Sequence, residues 1–66
     1  MSLSGFQFIM LHRIISKIER AGATSKEKAV TIEEAELDLQ ERQWLSYFAG
    51  VFLGEIKETE DKRYYV

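Results

Sequence analysis

Five residues within one short segment, Gln40, Arg42, Gln43, Ser46 and Tyr47, could do recognition chemistry. Gln and Ser hydrogen-bond to base edges, and Arg grips guanine or phosphate. A second group is basic: Lys26 and Lys28 in one polar segment, then Lys57, Lys62 and Arg63 near the C-terminal end. These are the side chains that phosphates would meet. Acidic residues are interleaved with them, with Glu33, Glu34 and Glu36 after the first group and Glu55, Glu58, Glu60 and Asp61 around the second. Affinity for nucleic acid comes largely from neutralised phosphates and counterion release, so a balance this even predicts weak binding unless a dimer doubles the contacts.

Catalytic chemistry finds less to work with. His12 is the sole histidine, and one imidazole without a clustered partner is neither a metal site nor a general base; it belongs at the edge of the core or on the surface. Ser16, Ser25 and Ser46 have no nucleophile context, no Gly-rich phosphate loop is present, and the carboxylates are accounted for by helix caps and surface. The expectation is a non-enzymatic protein with no cofactor, no metal and no small-molecule substrate. Trp44, Tyr64 and Tyr65 could form a stacking platform for single strands. The favoured role for Trp44 and at least one tyrosine is to cover a small core.

These residues sit on a chain of 66 with 45% apolar content, net charge −2 and no cysteine. That is one folding domain, thinly buried for its size and without a disulfide or thiolate metal site. The absence of cysteine fits a reducing, cytoplasmic setting. The longest apolar run, "FIML", is too short to span a bilayer, and there is no signal-peptide pattern. The domain is expected to occupy residues 1–66, with residues 1–4 carrying no weight.

The elements that must position the candidates can be placed by period and caps. Phe8, Leu11, Ile15 and Ile18, widened by Ile14, predict a helix from about Gly5 to Arg20 that Gly22 ends in the left-handed region. Ser4 and Gln7 could cap its start. Phe6, Ile9 and Met10 fall off that stripe; either they are partly covered by a later hairpin or they form a dimer contact. "ATSKEKA" is a loop, with a short strand possible at "KAV". Two capping boxes follow seven residues apart, Thr31 with Glu34 and Asp38 with Glu41. They predict a short second helix, "IEEAE", ended by Leu37, and a third helix from Leu39 towards Gly50 with Leu45, Phe48 and Phe52 buried and Trp44 beside them. The tail "GEIKETEDKRYYV" alternates as a hairpin does.

Helix, short helix, turn, helix, hairpin: with "TIEEAEL", "DLQERQWLSYFAG" and "GEIKETEDKRYYV" in those places, the chain resembles the winged helix-turn-helix. The stretch "LSYFAGVFLGEIKETEDKRYYV" looks like small archaeal winged-helix proteins of unassigned function. The resemblance implies an α+β fold of three helices and a C-terminal β-hairpin wing. It implies duplex DNA as partner, in a transcriptional regulator or chromatin-associated factor, with Gln40, Arg42, Gln43, Ser46, Tyr47, Lys26, Lys28, Lys57, Lys62 and Arg63 at the nucleic acid. A homodimer through Phe6, Ile9 and Met10 is the accompanying expectation. The alternative is a protein-docking or dimerisation module on the same fold, without nucleic acid. One departure stands out: wings of this kind often turn through Asp-Gly, whereas Lys62 follows Asp61 here, so a lysine must bear any left-handed conformation.

Overall fold

The computed structural model describes residues 5–51 and 56–66. It is an α+β fold of two α-helices and a two-stranded antiparallel hairpin. Helix α1, Gly5–Arg20, ends where Gly22 takes φ +86°. There Ala23 N–H donates to the Ile18 carbonyl at 3.1 Å and Gly22 N–H to Glu19 at 2.9 Å, the paired bonds of a Schellman stop. The proposed Ser4 cap lies outside the described residues.

The buried face of α1 is Met10, Leu11, Ile14 and Ile18. Phe8 is exposed and Ile15 half-buried, so the face is rotated from the expected stripe towards Met10. Met10 has no solvent exposure at all. It therefore belongs to the interior of a single chain and is withdrawn from the set proposed for dimer contact.

A 3-10 turn, Lys26–Lys28, leads to Val30, which bridges Tyr64 in antiparallel fashion. Val30 N–H donates to the Tyr64 carbonyl at 2.9 Å and Tyr64 N–H returns the bond at 2.7 Å. The strand suspected at "KAV" is this single bridge.

Three helices were expected and the short one is not formed. The Thr31–Glu34 box is made, with Glu34 N–H donating to Thr31 Oγ1 at 3.1 Å and Thr31 N–H to Glu34 Oε1 at 2.9 Å. But Glu36 already stands at φ 59°, and Leu37 N–H and Glu36 N–H donate back to the Ile32 and Glu33 carbonyls in a second Schellman pattern. Start and stop signals share one turn. Only Ala35 N–H to the Thr31 carbonyl, 3.0 Å, closes in α fashion, so nothing propagates.

Helix α2, Leu39–Val51, is the expected third helix. Its box is complete: Glu41 N–H donates to Asp38 Oδ1 at 2.7 Å and Asp38 N–H to Glu41 Oε1 at 2.9 Å. Leu45 and Phe48 are buried as expected, Trp44 is half-buried, and Phe52 lies outside the described residues. α1 and α2 pack together, with Phe6 near the start of α1 against Trp44 and Lys17 near its end against Glu41. Strands β1, Lys57–Glu58, and β2, Tyr64–Tyr65, pair Lys57 with Tyr65 and Glu58 with Tyr64. Ile56 and Tyr64 join the core, and Val66 N–H donates to the Ala23 carbonyl at 2.9 Å.

Candidate functional site

The proposed recognition residues are all exposed on α2, but they do not form one face. Glu41, Leu45 and Phe48 point inward. Helical spacing then puts Arg42 and Ser46 on one flank and Gln40 and Tyr47 on the other, with Gln43 between them. Arg42 and Ser46 line a groove of about 500 Å³ against the hairpin, floored by Ile32, Leu45 and Tyr64 and closed by Glu58 and Lys62. Tyr47 instead packs into an aromatic cluster on the far side, edge-on to Trp44 with centroids 5.8 Å apart.

The basic residues are engaged to different degrees. Arg42 Nε donates to the Leu37 carbonyl at 3.2 Å, which leaves the outer nitrogens of its guanidinium for other acceptors. Lys62 pairs with Glu58 at 3.4 Å, and Lys57 lies over the Tyr65 ring, 5.6 Å from its centroid. Arg63 is the most committed: it reaches the Ala29 carbonyl at 3.3 Å, Glu34 Oε1 at 3.2 Å and Asp61 Oδ2 at 3.2 Å. It ties the hairpin tip to the Thr31–Glu34 turn, which is a structural task. Lys26 and Lys28 are both exposed, and Lys26 lines a groove with Thr59, Glu60, Asp61 and Arg63 of that tip.

The hairpin tip also resolves the departure at Lys62. Lys62 N–H donates to the Thr59 carbonyl at 3.1 Å and Thr59 N–H to the Arg63 carbonyl at 2.8 Å, with Lys62 itself at φ 63°. The turn is long enough to need one left-handed residue, and lysine occupies that position. Thr59 Oγ1 donates to Asp61 and accepts from Arg63 N–H, which braces the loop.

Three carboxyls sit below their ordinary values. The backbone N–H of Thr31 lowers Glu34, outweighing the upward push of desolvation with help from Arg63 and the Thr31 hydroxyl. The Thr59 hydroxyl does the same for Asp61. For Glu41, burial pushes upward and is outweighed by Lys17 and the Asp38 N–H. At the groove, burial and the Glu58 carboxylate raise the Tyr64 hydroxyl to about 12, and it donates to Glu58 Oε2 at 3.0 Å.

Sequence reasoning found Glu41 as a cap but missed its burial and its ion pairs: its side chain has no exposure and takes Lys17 Nζ at 2.7 Å with Arg13 Nη2 3.1 Å from its second oxygen. The signal was present. Glu41, Leu45 and Phe48 share one helical stripe, and a carboxylate on a buried stripe demands cations such as the i, i+4 pair Arg13 and Lys17. His12 is exposed on α1. Among the described residues no group of three or more His, Cys, Asp or Glu could hold a metal ion, and no helix is long and apolar enough to cross a membrane.

No protein-family model, curated protein or solved structure matches the chain.

Proposed function

We propose that the protein is a non-enzymatic module of the winged-helix type that docks on duplex DNA through the α2–hairpin groove. The observation that carries this reading is the placement of Arg42, Ser46 and Lys62 around that groove, with Gln43 exposed next to it. The Val30–Tyr64 bridge supports it, because it fastens the hairpin to the segment just before the Thr31 turn and so holds the wing beside α2. A helix edge bearing Arg, Ser and Gln beside a lysine-tipped hairpin can place hydrogen-bond donors against bases while the lysine meets a phosphate. The Lys62–Glu58 pair is a surface contact of small net worth, and a phosphate can replace the carboxylate. Binding is expected to be weak, at roughly micromolar or above, and to fall with salt.

Fluorescence anisotropy with labelled random-sequence duplex at low salt tests the reading. Arg42→Ala combined with Lys62→Ala should weaken binding about tenfold and flatten the salt dependence by about two phosphate contacts. A folded sample with no duplex binding at low salt would sink the proposal.

One observation favours a second reading, a protein adaptor on the same scaffold. The hairpin cations already face acids, Arg63 against Glu34 and Asp61 and Lys62 against Glu58. On that reading duplex DNA gives no anisotropy change, and the Arg42 and Lys62 substitutions have no nucleic-acid phenotype.

A further inference from the structure

The flank of α2 turned away from the groove carries a different surface. Phe6 is 50% exposed and Ile9 57%, one turn apart on the same side of α1. Phe6 meets the half-buried Trp44 edge-on at 5.8 Å, and Trp44 meets Tyr47 at 5.8 Å and stacks on the buried Phe48 at 5.6 Å. Phe6, Trp44 and Tyr47, with Ile9 on the same side of α1 as Phe6, thus present an apolar surface across both helices, backed by the buried Phe48 ring.

Its charge pattern is unusual for this chain. Charged residues make up 30% of the sequence, yet none falls between Gly5 and His12 or between Gln43 and Phe48. The nearest cation on α1, Arg13, is turned to Asp38 and Glu41. A charged partner would find no counter-charge on this surface. A second copy of the same surface would meet it with no like charges opposed, and a twofold arrangement lets each Ile9 pack against the partner's rings.

We infer that the Phe6, Ile9, Trp44 and Tyr47 surface is a homodimer interface, with a second copy of this chain as its occupant. Because it lies on the opposite flank of α2 from Arg42 and Ser46, the pairing leaves both grooves open and does not depend on DNA binding.

Sedimentation velocity between about 10 μM and about 1 mM, followed alongside emission from the single tryptophan, tests it. Trp44 lies in the interface, so its emission should shift to the blue as dimer forms. The expected result is concentration-dependent dimer for the natural chain. Ile9→Glu should raise the dimer dissociation constant at least about tenfold and abolish the emission shift. Leu39→Glu, at a side chain 73% exposed outside this surface, should leave both unchanged. Circular dichroism checks that each variant is folded, and Tyr47→Lys tests the same surface should Ile9→Glu fail to fold. Monomer throughout the concentration range overturns the inference. So does dimer that survives the interface variants, or dimer lost equally in Leu39→Glu.

Discussion

At the scale of single residues, Glu41 shows how a carboxylate can sit in a core of this size. Burial alone would neutralise it. Lys17 at 2.7 Å and the Asp38 N–H at 2.9 Å keep it charged instead, and Arg13 adds coulombic support. Replacing Glu41 with Ala strands the backbone N–H and leaves two cations facing an apolar gap. Both cations retain some exposure and can re-solvate, so the expected cost is about 2–3 kcal/mol, a fall in Tm of more than about 10 °C by calorimetry. The sign of the pH effect follows from the lowered value. In the unfolded chain Glu41 titrates near 4.5, and in the folded chain below that. Its contribution is therefore full above about pH 4.5 and is lost as pH falls through the folded value. Denaturant melts should show an acid-side loss of stability that is shallower in Glu41→Gln.

Tyr64 acts at the other end of the scale. Its hydroxyl ionises near 10 when unfolded and about 12 when folded. The folded state holds that proton more tightly, so the stability it contributes is present below pH 10 and lost as pH rises towards 12. Tyr64→Phe should remove that alkaline limb and the bond to Glu58, at a cost of about 1 kcal/mol at neutral pH.

Among the elements, the ends were written most plainly. Gly22 stops α1, and Thr31–Glu34 and Asp38–Glu41 form the reciprocal caps their spacing implies. What the spacing could not reveal is that a Schellman stop at Glu36 would overtake the first cap within a turn, because glutamate carries no local mark of a left-handed conformation. The face of α1 was misplaced for a related reason. Periodicity alone allowed either Phe8 or Met10 to lead the stripe, and the choice is made by α2, whose Glu41 draws Arg13 and Lys17 to one side. The candidate site was legible in composition but not in arrangement: the α2 residues were found, while their division between two flanks depends on which residue is buried at position 41.

The two non-glycine residues in the left-handed region make the elements testable. Lys62 at φ 63° and Glu36 at φ 59° each carry strain that glycine relieves. Lys62→Gly gives up only an exposed ion pair and should stabilise the hairpin by about 0.5–1 kcal/mol in chemical denaturation. Glu36→Gly should do likewise, since the contact from Lys17 is to the backbone carbonyl and survives the change.

For the molecule as a whole, the fold is two helices latched by charge at one end and by rings at the other, with a hairpin clasped across them. The groove and the apolar surface lie on opposite flanks of α2, so the proposed nucleic-acid docking and the inferred self-association are expected to be separable by mutation. Arg42→Ala with Lys62→Ala should leave sedimentation unchanged, and Ile9→Glu should leave the intrinsic DNA contact of each protomer intact.

The bridge from Val30 to Tyr64 has a kinetic consequence. It closes a loop of more than thirty residues, as does the bond from Val66 to Ala23, whereas each helix and its caps need only neighbours and the Lys17–Glu41 latch that first joins the helices spans 24 residues. Loop-closure entropy delays such distant contacts until a nucleus already holds the ends together. The α1–α2 pair should therefore assemble first and the hairpin clasp last. Weakening the clasp with Tyr64→Ala, which removes the buried side chain that seats the hairpin in the core, is expected to speed unfolding and leave the refolding rate nearly unchanged in stopped-flow measurements, whereas Leu45→Ala should slow refolding. The hairpin, which brings Glu58, Lys62 and Tyr64 to the proposed docking groove, would then be the part that opens most readily in the native state.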